Sequence, residues 1–203
     1  GPIQNIGAYG SEIKDTLTQV KIFDIQTGKV YELSNDDCEF GYRDSILKKN
    51  LGKFIIISVS FTLSKIANKL PIPQYKDLQL YFLEKKMKEA SSADIRKAIL
   101  KIRAEKIPWP TKIPNTGSIF KNPIVKNEIA GLIARNNPEM PYFKLNNEYT
   151  KLYAGWLIEK SGLKGFNFGK IKIDENNSLV LTNPKGAGKF ADFENSIKQI
   201  QAQ

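Results

Sequence analysis

The sequence predicts a mixed α/β (α+β) chain in two parts, an antiparallel sheet first and a smaller α/β region after it. Three observations carry this. Residues 20–25 and 30–33 alternate as strands do, and Gln26-Thr27-Gly28 supplies the turn between them. From Ser92 the period changes, with Ile95, Ala98, Ile99 and Ile102 recurring at helical spacing. Ile107-Pro108-Trp109-Pro110 then reads as a boundary that divides the chain into 1–107 and 108–203.

The elements follow in order. Residues 1–10 hold three glycines and a proline, the composition of a functional loop with no leader before it. Ser34-Asn35-Asp36-Asp37 is a loop or short helical turn opened by a capping residue. Residues 53–63, centred on Ile55-Ile56-Ile57-Ser58-Val59, predict a buried strand and complete the antiparallel sheet. Ser92 caps a helix that runs to Glu105 and stops before Pro108, with Arg96, Lys97, Lys101 and Arg103 over much of its remaining surface. Residues 125–134 predict an amphipathic helix ended by Asn136-Asn137-Pro138. Residues 149–160 predict another, with Leu152, Trp156 and Leu157 on one face and Gly162 as the cap beyond its end. Residues 166–173 and 179–182 read as a hairpin around Glu175-Asn176-Asn177, and 190–203 as a final helix.

Composition narrows the chemistry. Hydrophobic residues at 41% and charged residues at 26% are those of a soluble globular protein. No apolar run approaches the roughly 20 residues of a membrane span, and the start lacks the pattern of a signal peptide. Cys38 is the only cysteine, which rules out an intrachain disulfide and suits a reducing cytoplasm. There is no histidine, so histidine-based triads and most zinc sites are excluded. Proton transfer falls to Ser, Tyr, Lys or a carboxylate. The formal charge of +10 favours an anionic partner, whether nucleic acid, phosphorylated small molecule or acidic lipid.

The richest motif is Thr116-Gly117-Ser118-Ile119-Phe120-Lys121-Asn122-Pro123. Gly117 lets backbone approach a ligand, Ser118 offers a hydroxyl, and Lys121 and Asn122 add a cation and an amide. With Pro110, Pro114 and Pro123 around it, the segment reads as a stiffened, ligand-facing loop. An ordinary turn is the plain alternative. Gly41-Tyr42-Arg43-Asp44-Ser45 sets a ring beside a guanidinium; taken alone, Arg43 pairs with Asp44 at the surface. Gly186-Ala187-Gly188-Lys189 resembles the end of a phosphate-binding P-loop. However, Asn183 and Phe190 stand where that pattern needs glycine and Ser or Thr, so it reads as a strand-to-helix turn.

Four segments in order resemble one family: Pro2-Ile3-Gln4-Asn5-Ile6-Gly7-Ala8-Tyr9-Gly10, Phe40-Gly41-Tyr42-Arg43-Asp44-Ser45, Gly117-Ser118-Ile119-Phe120-Lys121-Asn122-Pro123 and Ala154-Gly155-Trp156-Leu157-Ile158. The family is UDP-N-acetylenolpyruvoylglucosamine reductase (UDP-N-acetylmuramate dehydrogenase), and the likeness is to its type I branch. It implies a cytoplasmic flavoenzyme of peptidoglycan precursor synthesis with FAD and NADPH as cofactors. Reduced flavin passes hydride to the enolpyruvyl double bond of a UDP-sugar, and the intermediate is then protonated. By this resemblance Ser118 is the proton donor and Arg43 stabilises the carboxylate and intermediate. Tyr75 matches a tyrosine on a loop that closes over substrate. Lys106, Asn122 and Tyr142 match substrate ligands, and Asn177 stands where the family has glutamine. Gln4, Asn5, Ile6 and Gly7, with Tyr42 nearby, carry the flavin role. No metal, nucleic acid or membrane is implied; the oligomeric state is left open, with a monomer favoured.

The resemblance also implies what is missing. The family's first FAD-binding segment, with its glycine-rich pyrophosphate loop, precedes the Gln-Asn-Ile-Gly motif, and a catalytic glutamate follows in a Leu-Glu-Pro-Glu strand. Neither Glu194 nor Glu175 has the context to replace that glutamate. The expectation is a fragment: the later part of the second FAD-binding domain (1–107), then a substrate-binding domain (108–203), with little or no turnover alone. The rival reading is a basic nucleic-acid-binding module built on the helix 93–105 with Tyr75, Tyr81, Phe82 and Trp109.

Overall fold

Alternation of apolar and polar residues in the first third of the chain produces a three-stranded antiparallel sheet. The computed structural model describes residues 1–65 and 69–203. A short hairpin, β1 (Gly7–Ala8) and β2 (Ser11–Glu12), precedes β3 (Leu17–Asp24) and β4 (Lys29–Ser34). A four-residue helix, α1 (Ile46–Lys49), leads into β5 (Phe54–Phe61), and the sheet order is β4-β3-β5. Leu17, Val20 and Ile22 of β3 turn inward and pack with Cys38 and Leu47. The turn at the end of β3 is fixed by Asp24, whose Oδ1 accepts from the backbone N of Gln26 (2.8 Å) and Thr27 (3.1 Å).

The strand expected to be buried at 53–63 is only half covered. β5 lies at the sheet's edge, with Ile56 and Val59 against the core and Ile55 and Ile57 each more than half exposed. The sheet has one core face, so a continuous apolar run does not mean two covered faces.

β6 (Leu70–Pro71) and β7 (Glu89–Ala90) pair around α2 (Lys76–Glu84), a helix that buries Leu78 and Phe82. The predicted basic helix is α3 (Ser92–Lys106), with Ala98 and Ile102 buried. Its cap is Ser91, not Ser92: Ser91 Oγ accepts from Asp94 N (3.1 Å), and Asp94 Oδ2 accepts from Ser91 N in return. Contacts divide the chain into two compact units, Gly1–Lys101 and Ile102–Gln203.

The second unit holds two antiparallel sheets. β8 (Asn115–Ser118) is followed by β9 (Ile124–Lys126), α4 (Asn127–Asn136), β10 (Tyr142–Lys144), β11 (Tyr149–Leu152) and α5 (Ala154–Lys160). Then come β12 (Asn167–Phe168), β13 (Ile171–Ile173), β14 (Val180–Thr182) and α6 (Phe190–Gln201). The sheet orders are β10-β11-β9 and β12-β13-β14-β8. Ile171, Ile173 and Leu181 pack with Ile158, Leu163 and Ile200 beside the second sheet. Ala130, Met140 and Leu152 form the smaller core beside the first.

Three expectations are corrected here. The segment 125–134 is strand until Lys126 and helix only from Asn127, and 149–160 is strand until Leu152 and helix from Ala154. In both, a strand runs almost directly into a helix, and Leu152 and Trp156 keep a helical spacing across the junction. Thr150 pairs opposite Val125, so tertiary pairing overrides the local period. The strand expected over 166–173 is broken at Gly169 (φ +84°) into β12 and β13, which pair with each other.

Cys38 sits in the first unit's core, and burial, then the nearby Asp37 carboxylate, push its thiol up from the usual range. A thiol-specific chromogenic reagent at neutral pH is expected to label the native chain far more slowly than the denatured one. Equal rates would mean that this core is open.

Candidate active site

In the first unit the glycine-rich start and the Gly-Tyr-Arg-Asp-Ser segment are tied together by one buried amide. Asn5 is fully buried in a left-handed conformation (φ +47°). Its Nδ2 donates to Glu12 Oε2 (3.0 Å) and to Gly41 O (2.8 Å), and its Oδ1 accepts from Lys14 N (3.1 Å). Its carbonyl oxygen accepts from Arg43 Nη1 (3.3 Å). Asn5 was expected to touch flavin; its side chain is instead committed to the fold, while Gln4 and Ile6 on either side are exposed.

Arg43 does not pair with Asp44. Asp44 and Gly41 bridge each other in a tight turn, Asp44 Oδ1 accepts from Ser45 N (3.0 Å), and Arg43 takes φ +54°. Its guanidinium donates from Nη1 to Glu12 Oε1 (3.3 Å) and from Nη2 to Gly7 O, and lies 5.0 Å from the centre of the Tyr42 ring. Gly7 is required by this closeness: a Cβ there would come within 2.8 Å of Glu12 Cγ and 3.0 Å of Arg43 Nη1. Glu12 was missed by the sequence reading. Its only sequence signal is a carboxylate two residues after the glycine-rich motif.

Tyr75 stands just before α2, and its ring meets that of Tyr9 edge-on at 5.2 Å between centres. Tyr9 (φ +55°) and Gly10 (φ +91°) form the two-residue turn of the β1–β2 hairpin, a primed turn in which both residues are left-handed. The first unit therefore gathers Gln4, Ile6, Gly7, Tyr42, Arg43 and Tyr75 around that hairpin. Lys106, assigned to the second unit, is the exposed last residue of α3.

In the second unit Ser118 ends β8, exposed, opposite Val180. The stretch expected as a loop is a strand, and its departure from regularity is a register shift between Val180 and Thr182. Gly117 takes φ +62° there, with its N–H donated to Asn115 Oδ1 (3.0 Å), and Thr116 Oγ1 accepts from Leu181 N (3.2 Å). Such a bulge re-aims the next side chain, here Ser118. Asn177 lies beside it in the chain of bonds: its Oδ1 accepts from Leu179 N (3.1 Å), and Ile119 N donates to Leu179 O (2.9 Å). Asn122 Oδ1 accepts from Ala154 N (3.0 Å) at the start of α5.

Tyr142 lies apart from these, on β10. With Asn127, Gly131, Lys144 and Thr150 it lines a pocket of about 220 Å³. Of the aromatics invoked for nucleic acid, Phe82 is buried and Tyr81 lies under the ammonium groups of Lys85 (4.5 Å) and Lys101 (5.7 Å). Among the described residues there is no group of three or more His, Cys, Asp or Glu that could hold a metal. Likewise no described helix is long and apolar enough to cross a membrane.

Residues 109–203 match the family model of the UDP-N-acetylenolpyruvoylglucosamine reductase C-terminal domain. A reductase of that name from Flavobacterium johnsoniae is 37% identical over 201 residues, covering 98% of this chain and 59% of its own length. The one from Pseudomonas savastanoi pv. phaseolicola is 40% identical, covering 99% and 58%. The chain thus spans under three fifths of the length of these curated relatives. The crystal structure of UDP-N-acetylenolpyruvylglucosamine reductase from Thermus caldophilus superposes with a TM-score of 0.60 at 20% identity, over all of this chain and 55% of that one. At that identity the likeness speaks for the fold.

Replacing Asn5 with Ala would strand Lys14 N and leave Gly41 O only the longer bond from Asp44 N (3.3 Å), at a cost on the order of 1–3 kcal/mol for a group left unsatisfied. A clear drop in the urea midpoint of Asn5→Ala, larger than that of an exposed control such as Gln4→Ala, is the expected result.

Proposed function

The chain belongs to the UDP-N-acetylenolpyruvoylglucosamine reductase family over the stretch it shares with those relatives, and we propose that it serves the reaction of that name. In this reading UDP-N-acetylglucosamine enolpyruvate becomes UDP-N-acetylmuramate for peptidoglycan synthesis in the cytoplasm, with NADPH as reductant and FAD as carrier. Residues 1–107 contribute to flavin binding and 108–203 hold the substrate. The observation that supports the reading most is the anchored cation of the first unit, Arg43 fixed by Glu12 and Gly7; the second unit, taken by itself, presents Ser118 at a bulge.

A flavin fits the first unit in part. Gln4 and Ile6 are exposed on either side of the buried Asn5, so an amide and an apolar surface are open to a flat ring, with Tyr42 and the Gly7 backbone close by. FAD, when bound, would supply the hydride for one carbon of the enolpyruvyl double bond, with NADPH as its source. Charge then builds on the other carbon and its carboxylate. Arg43, a permanent cation, stabilises that charge where it develops, which lowers the barrier more than uniform binding of substrate would. Ser118 gives its hydroxyl proton to the carbon beside the carboxylate. A serine hydroxyl is a weak acid in water, so its transfer depends on the strongly basic, enolate-like carbon that receives the proton. Asn122, Lys106, Tyr75, Tyr142 and Asn177 bind and orient the UDP-sugar. The net charge of +10 suits a substrate with a diphosphate and a carboxylate.

The test separates the half-reactions. In the full-length, FAD-loaded protein, Ser118→Ala should leave reduction by NADPH nearly intact and slow reoxidation by substrate by about 100-fold or more. Unchanged reoxidation in a stopped-flow trace would remove Ser118 as the proton donor.

A further inference from the structure

The Arg43 guanidinium is anchored through its two Nη nitrogens. Nη1 donates to Glu12 Oε1 and Asn5 O (both 3.3 Å), and Nη2 donates to Gly7 O. Among the described residues nothing takes the Nε proton, so Nε–H and the second Nη2 proton remain as donors for a carboxylate.

Glu12 is itself held before Arg43 arrives. Its backbone N donates to Asp15 Oδ2 (2.7 Å), it pairs with Gly7 in the β1–β2 hairpin, and its Oε2 accepts from Asn5 Nδ2 (3.0 Å). Lys14 Nζ lies 3.4 Å from the same oxygen. Both members of the Arg43–Glu12 pair are 30% exposed, so solvent screens their attraction and the pair adds little to stability. What the contact does supply is direction. A free arginine side chain samples many rotamers, whereas one edge fixed by a clamped carboxylate leaves the other edge in a single orientation.

We propose that Glu12 is a positioning residue for the reduction: it fixes the plane of the Arg43 guanidinium so that its open edge meets the substrate carboxylate. This rests on the reading of Arg43 given above. Misplacing a catalytic group by about 1 Å can cost on the order of 100-fold, so the effect should appear in the substrate half-reaction alone.

The experiment uses the full-length, FAD-loaded protein with Arg43→Ala, Glu12→Ala and the double variant. After reduction by NADPH, Glu12→Ala should reoxidise with substrate about 100-fold more slowly, with its reduction by NADPH unchanged. The double variant should be no slower than Arg43→Ala, because Glu12 acts through Arg43. Normal reoxidation of Glu12→Ala beside a slow Arg43→Ala would overturn the proposal, and so would losses that multiply in the double. A fast Arg43→Ala would instead remove the reading of Arg43 on which it stands. Should Glu12→Ala not fold, the ¹⁵N signals of the Arg43 guanidinium in the unmodified protein decide. Separate, slowly rotating Nη signals support the clamp, and one averaged signal overturns it.

Discussion

One buried side-chain amide holds the first unit's functional surface together. Asn5 accepts from Lys14, donates to Glu12 and Gly41, and lends its carbonyl to Arg43. These partners lie on two other stretches of chain, around residues 12–14 and 41–43, so the amide ties three segments together, and removing it would take the partner from Lys14 N and one bond each from Glu12 and Gly41. A buried polar group is stable only when fully satisfied, and this one is. That condition dictates its neighbours: left-handed backbone at Asn5 and Arg43, and a glycine at position 7 where a Cβ would strike Glu12. Residues that read as flavin ligands in the sequence are, in the fold, partly the frame on which an arginine is mounted.

The second unit reaches a comparable result by different means. There the frame is backbone: a register shift opposite β14, a left-handed Gly117 and the Asn115 amide bracing it. Asn115 Nδ2 also donates to Pro108 O and Ile113 O (2.9 Å each), so the proline-rich segment is stitched to the strand that carries Ser118. A chain without histidine has few ways to move a proton near neutral pH.

Local signals were legible where the physics is local. The β3–β4 hairpin follows from alternation and from the Gln26-Thr27-Gly28 turn (Gly28 φ +67°), which Asp24 secures in the fold. The junctions at Lys126–Asn127 and Leu152–Ala154 were not legible, because strand and helix there share one continuous apolar stripe and only pairing across the sheet separates them. The helix α2 escaped notice: it starts at Tyr75 without a side-chain cap and has only two buried residues, Leu78 and Phe82. Motif order singled out Arg43, but its partner Glu12 lies 31 residues away in sequence. A residue-by-residue reading therefore chose the adjacent Asp44. Asn5 shows the converse: a motif match says that a residue matters, while burial says whether its side chain faces a ligand or the fold.

The central claim, that residues 1–203 carry the UDP-sugar site, is tested most directly by isothermal titration of the chain with UDP-N-acetylglucosamine enolpyruvate at moderate salt. Saturable one-to-one binding that Arg43→Ala weakens is the predicted result. Binding that is absent from the folded chain, or that fades with salt and is matched by any polyanion, would contradict it.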